Sequence, residues 1–163
     1  MPVVNPGASY GWRARIGLLQ PTLVCDTNAF EFYLMAPEGV QMLLTSLGIE
    51  TPGLPAYETA IAGIETPIRR LLGRRPDCIV QAGVPPIVTK GWGFEDELKA
   101  RVAKITELPF ASDIGCCIAA MHAAGIKRVA VLANAGLQKP LAEYLITSWR
   151  RCSSRSVAVP TMV

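Results

Sequence analysis

Short apolar runs alternate with longer amphipathic stretches along this chain, and Gly, Pro, Asp or Ser stands at most of the junctions. Ile16 to Leu19 predicts a first strand ended by Pro21. Asp26 or Thr27 is placed to cap a helix reaching about Met35, with Phe30, Tyr33 and Leu34 at helical spacing. Pro37 and Gly39 stop that helix, and Val40 to Leu47 reads as a second strand. From Tyr57 to Leu72, Ile61, Ile64, Ile68 and Leu72 recur on one helical face that ends at Gly73, although Pro67 objects locally. Cys78 to Ala82 predicts a strand that opens into the loop Gly83-Val84-Pro85-Pro86. Phe94 to Ile105 reads as a charged helix and Leu108 to Ala111 as a brief strand. Ser112 or Asp113 then caps a helix over Ile114 to Ala124. Arg128 to Leu132 reads as a further buried strand, and Leu137 to Trp149 as a last helix.

Strand and helix thus alternate, which predicts an α/β fold of βα units on a parallel sheet. In such folds ligands sit outside the carboxyl ends of the strands. The loops Gln20 to Asn28, Gly83 to Gly91, Ala111 to Asp113 and Ala133 to Lys139 are therefore the candidate site.

Composition narrows the class without changing this picture. Half of the 163 residues are hydrophobic, 18% are charged and mean hydropathy is +0.30, which excludes an intrinsically disordered chain. With 14 Gly and 13 Pro scattered along it, the chain sustains no heptad pattern. No apolar run approaches the length of a membrane-spanning helix. The formal charge of +3 is local: Arg150, Arg151 and Arg155 supply it, and the 13 other basic residues balance 13 acids. The expectation is no nucleic-acid partner and no membrane partner.

The five cysteines are Cys25, Cys78, Cys116, Cys117 and Cys152, with His122 as the single histidine. An odd count without a CxxC pair excludes a disulfide framework or a zinc site as the reading. Met1 to Tyr10 carries no charged segment followed by an apolar core, so a cytoplasmic location is expected. The chain contains no GxGxxG, Walker A, GxSxG or HExxH pattern, which speaks against a nucleotide cofactor. Cys25 precedes a helix N-terminus, where the dipole lowers a thiol pKa, but a buried structural cysteine is the preferred reading. Asp26, Thr27, Asn28, Thr89, Lys90, Ser112, Asp113 and Asn134 can each be a cap or turn residue, and together they suit a small polar ligand such as a carboxylate.

Several segments carry a family resemblance. These are Arg15 to Pro21, Glu31, Ala36 to Val40, Asp77 to Gly83, Leu108-Pro109 and Ala123 to Leu132. In order and spacing they resemble the maleate isomerase and arylmalonate decarboxylase branch of the Asp/Glu racemase superfamily, over about residues 15 to 149. The resemblance implies a racemase-like pair of α/β lobes, here residues 1–92 and an incomplete second lobe at 93–149, followed by an atypical Arg/Ser tail at 150–163. It implies cofactor-independent isomerase or decarboxylase chemistry at the carbon beside a carboxylate of a small dicarboxylic acid. A poised thiol and donors around the carboxylate oxygens are what that chemistry needs.

The chain departs from the family pattern at its donors. Gly83 stands where the family has its first cysteine, as in the decarboxylase branch, and Val84 and Pro85 replace the two hydroxyl residues that follow. Ala133-Asn134-Ala135 lacks the family's tyrosine, and Leu23 to Asn28 has no secure match for the asparagine of the isomerases. The family's second cysteine segment has no counterpart before Val163. Two readings of this stay open: a shortened or frame-shifted chain, and a natural short form completed as a homo-oligomer. Thr22, Gly83, Val84 and Asn134 are the expected substrate-binding residues, and no catalytic thiol is assigned. The competing function is a non-catalytic ligand-binding or interaction module that kept the fold and lost the chemistry.

Overall fold

A computed structural model describes residues 10–131 and 138–152. Four strands form one all-parallel sheet: β1 (Ala14–Thr22), β2 (Val40–Ile49), β3 (Cys78–Gln81) and β4 (Phe110–Ser112). Their order across the sheet is β2-β1-β3-β4. The helices are α1 (Thr27–Met35), α2 (Leu54–Ala62), α3 (Glu65–Leu72), α4 (Pro85–Val88), α5 (Phe94–Val102), α6 (Asp113–Ala123) and α7 (Gln138–Cys152). The α/β parallel-sheet class read from the sequence is the class observed.

Alternation along the strands sorts the core into two layers. Leu19, Leu43 and Ile79 face α2 to α7, where they pack with Ile61, Ile64, Ile68, Ile87, Leu98, Val102, Ile114 and Ile118. Leu18, Met42 and Val80 face the other way and meet Ala29 and Phe32 of α1. Gly17 is needed in the first layer because a Cβ there would lie 3.2 Å from Leu71 Cδ1 and 3.3 Å from the Cys78 carbonyl oxygen.

Four details differ from the sequence reading. Strand β1 runs through Pro21 to Thr22 rather than stopping, because its pairing with β2 shifts register between Gln20 and Thr22. A bulge of this kind tolerates a residue that has no N–H to donate. The single helix expected over Tyr57 to Leu72 is two, broken at Gly63 and Ile64, and Pro67 then falls in the first turn of α3, where no helical N–H bond is lost. Residues 85–88, read as loop, wind into the short α4 with Pro85 and Pro86 at its start. Of the strand expected over Arg128 to Leu132, residues 128–131 pair with no strand among the described residues and Val131 is 37% exposed, while Leu132 lies outside the described residues. Apolar, β-branched composition favours a strand only where a neighbouring edge receives it.

Candidate functional site

The strand order reverses between β1 and β3, so their carboxyl ends flank the switch point at which a crevice opens in this class of sheet. Thr22 ends β1, and Gly83 and Val84 follow β3 on the other side. The structure therefore brings Thr22, Gly83 and Val84 to one edge of the sheet, with the Ala82 amide donating to Leu19 O at 3.0 Å between them. Asn134, the fourth expected residue, lies outside the described residues.

Gly83 is held by geometry that only glycine meets. Its φ is +86°, and a Cβ there would stand 2.4 Å from Pro21 Cγ. Its amide donates to Asp113 Oδ2 at 2.7 Å, while the Ile114 amide donates to Asp113 Oδ1 at 2.6 Å. Asp113 is free for this because Ser112 takes the capping role, its Oγ accepting from the Gly115 amide at 3.0 Å. Burial raises the Asp113 pKa above its ordinary value. The two backbone N–H groups act in the opposite direction, and neighbouring Glu95 adds to the rise.

Beneath this edge lies a polar cluster absent from the expected set. Gln81 is fully buried; its Nε2 donates to Gly83 O at 3.3 Å and to Ala82 O, and its Oε1 has no partner. Glu95 Oε1 accepts from the Ser112 amide at 3.1 Å and pairs with Lys99 Nζ at 3.2 Å. Gly115 leaves room for that carboxylate, which would stand 2.4 Å from a Cβ on α6. Tyr144 is buried beside Trp92; burial, then the charge of Glu95, pushes its phenol upward. The signal for Gln81 was present in the sequence, as a polar residue closing an apolar strand; Glu95 and Tyr144 gave none, since each sits in an ordinary helical pattern.

On the β1 side, Thr22 Oγ1 accepts from Gln20 Nε2 at 3.0 Å and donates to Val24 O at 3.1 Å. Asn28 Nδ2 donates to Gln20 Oε1 at 2.6 Å, so the buried Gln20 ties α1 to the strand end. Beside Thr22, a cleft of about 330 Å³ is lined by Leu23, Ser46, Gly48, Thr59 and Arg70 among others. Cys25 lies 3.5 Å from Thr27 Oγ1, and that contact, with the Asn28 amide, lowers its thiol pKa. Burial, the largest cause at each, raises the pKa of both Cys78 and Cys116. Cys78 begins β3, at the end of the sheet away from the crevice. Thr89 and Lys90 are engaged elsewhere, with Pro85 O and Glu58 respectively. Among the described residues no cluster of three or more His, Cys, Asp or Glu could hold a metal ion, and no helix is long and apolar enough to cross a membrane.

The sheet order and its crevice define a doubly wound parallel α/β fold. Solved structures of that fold give it particular neighbours. A maleate isomerase from Pseudomonas putida S16, a cysteine-to-alanine variant with maleate, superposes with a TM-score of 0.71 at 22% identity, over 90% of this chain and 62% of that one. A Nocardia farcinica maleate cis-trans isomerase, a cysteine-to-serine mutant with a covalently bound succinylcysteine intermediate, gives 0.65 at 19% identity, over 81% and 58%. A liganded double mutant of arylmalonate decarboxylase gives 0.68 at 19% identity, over 81% and 56%. The chain thus has the fold of maleate isomerase and arylmalonate decarboxylase, and spans about three-fifths of their length. No protein-family model and no curated protein sequence matches it.

Proposed function

We propose that the chain handles a small dicarboxylate in the crevice between β1 and β3, by cofactor-independent chemistry at the carbon beside a carboxylate. The observation that carries this reading is the Asp113 carboxyl, which accepts from the Gly83 amide at 2.7 Å at the carboxyl end of β3. Burial raises its pKa, against the two backbone N–H bonds that its oxygens accept, and in this proposal it is the group that holds a proton and releases it to carbon. In a decarboxylation the bond between the carboxyl carbon and the neighbouring carbon breaks, and CO₂ leaves. The electron pair stays behind as an enediolate, Asp113 Oδ–H gives its proton to that carbon, and water later reprotonates the carboxylate. Thr22, Gly83, Val84 and Asn134 are the residues proposed to surround the substrate carboxylates.

The test is turnover of substituted malonates and maleate, with malonate binding measured in parallel by calorimetry. Asp113→Asn is expected to lose about a hundredfold or more in rate, the usual scale of a positioned acid, and to keep malonate binding. Unchanged turnover in Asp113→Asn overturns the assignment.

The same contact also favours a second reading. A carboxylate of the chain itself sits on the Gly83 amide, as a bound substrate carboxylate would. A non-catalytic binding module predicts no turnover in the unmodified chain and tighter malonate binding in Asp113→Ala, in which the competing carboxylate is gone.

A further inference from the structure

At the opposite end of the sheet the chain builds a cationic cleft. Its volume is about 470 Å³, and it is lined by Tyr10, Arg15, Leu43, Gly73, Arg74 and Arg75. Arg15 is the second residue of β1 and Thr22 its last, so at ~3.3 Å per residue this cleft lies about 20 Å from the crevice.

The cleft is assembled deliberately around Arg15. The Arg15 guanidinium donates through Nη2 to Tyr10 O at 3.3 Å and through Nη1 to Arg74 O at 3.5 Å, bracing both walls. Asp77 is the nearby acid, but its Oδ2 accepts from the Arg15 backbone amide at 2.7 Å and makes no ion pair with the three guanidinium groups. The ion pairs among the described residues are formed by Lys90, Lys99, Arg101 and Lys139. Arg75 adopts φ +54°, the left-handed region, and is the one non-glycine to do so among the described residues. Its amide donates to Leu72 O at 3.0 Å, so this is the turn by which the chain leaves α3, and it sets Arg74 and Arg75 side by side at the cleft. Leu43, 8% exposed, gives the cleft an apolar floor that strengthens the field of the charges above it.

Three arginines thus line one cleft and none of them forms an ion pair among the described residues, which leaves their charge to be met by an anion. We infer that this cleft is a binding site for a small polyanion, one with two or more adjacent oxyanion groups, distinct from the dicarboxylate crevice. Planar guanidinium forks match phosphate and carboxylate oxygens in pairs, which a scatter of lysines would not. Phosphate-bearing and polycarboxylate ligands share this chemistry.

Calorimetric titration of the full chain with inorganic pyrophosphate and, separately, with citrate tests the inference. Saturable binding of either is expected, pyrophosphate alone marking a phosphate ligand and citrate alone a polycarboxylate. The Arg74→Ala/Arg75→Gly double variant, in which glycine keeps the backbone conformation, should weaken binding about tenfold or more through loss of charge-assisted pairs. Asp113→Asn should leave it unchanged, which separates this site from the crevice. A second readout needs no variant: pyrophosphate should shift arginine Nε–H resonances of the unmodified chain. Absence of saturable binding by both anions, or equal affinity in the double variant, overturns the inference.

Discussion

Asp113 shows how one side chain is set by its neighbours rather than by its own chemistry. Adjacent Ser112 and Asp113 are interchangeable as caps in a sequence, and which of them points into the helix is a matter of backbone direction. Ser112, fully buried with an extended backbone, takes the Gly115 amide, and Asp113 is turned toward Gly83. The consequence for pH has a definite sign. In the unfolded chain Asp113 titrates near 3.8, and in the folded chain burial raises that value. Between the two, the native state binds more protons than the unfolded one, so stability falls as pH rises through that window. Asp113→Asn removes this titration. Its unfolding free energy relative to the parent chain should therefore improve as pH is raised from about 3 toward neutrality, read by denaturant unfolding across the range. A difference that stays flat with pH would mean that the carboxyl is not held away from water. The sequence placed Asp113 in a crevice loop, but its surroundings are set by Gly83 and Glu95, 30 and 18 residues earlier in the chain.

At the scale of elements, the crevice depends on a bulge and a glycine that fit each other. Pro21 falls where β1 shifts register against β2, and its ring packs against Gly83 at φ +86°. The family resemblance aligns a cysteine with Gly83, yet a Cβ at this position would meet Pro21 Cγ at 2.4 Å. Gly83→Cys is accordingly expected to destabilise the fold by about 2 kcal/mol or more, from strained backbone and overpacking together, as a lowered urea midpoint. An unchanged midpoint would show that the bulge moves aside. Element identity was largely legible beforehand: α1 and the start of β2 fall where Asp26, Pro37 and Gly39 put them. The misses share one cause. The split of α2 from α3, the winding of α4 and the missing strand at 128–131 were settled by what each segment could pack against, which periodicity does not record.

At the scale of the whole molecule, burial is one-sided. One face of the sheet carries α2 to α7, whereas the other carries α1 alone among the described residues. No residue of α1 is fully buried, and Phe30, Leu34 and Met35 are 67%, 69% and 79% exposed. Strand β2 is an edge of the sheet with no further strand beside it among the described residues, although Tyr33 Oη accepts from the Met42 amide at 3.1 Å. A second copy of the chain offers the same apolar helix and the same edge, so self-association is the expected outcome. Light scattering should report a mass above the 17.5 kDa of one chain. A clean monomer at that mass would count against it, as would a Phe30→Glu/Leu34→Glu variant that associates as well as the parent.

Alternation of apolar and polar positions, punctuated by Gly and Pro, was enough by itself to determine a parallel α/β sheet, the order of most elements and the loops at which a ligand would sit. These follow from local periodicity and from chain connectivity, which a sequence contains in full. Charge illustrates what it does not contain. The body of the chain is neutral by count, yet folding gathers Arg15, Arg74 and Arg75 around one cleft and sends Asp113, Glu95 and Gln81 to the other end of the sheet. Which polar group meets which is decided by residues 17 to 62 positions apart coming within hydrogen-bond reach, and only tertiary structure brings them there.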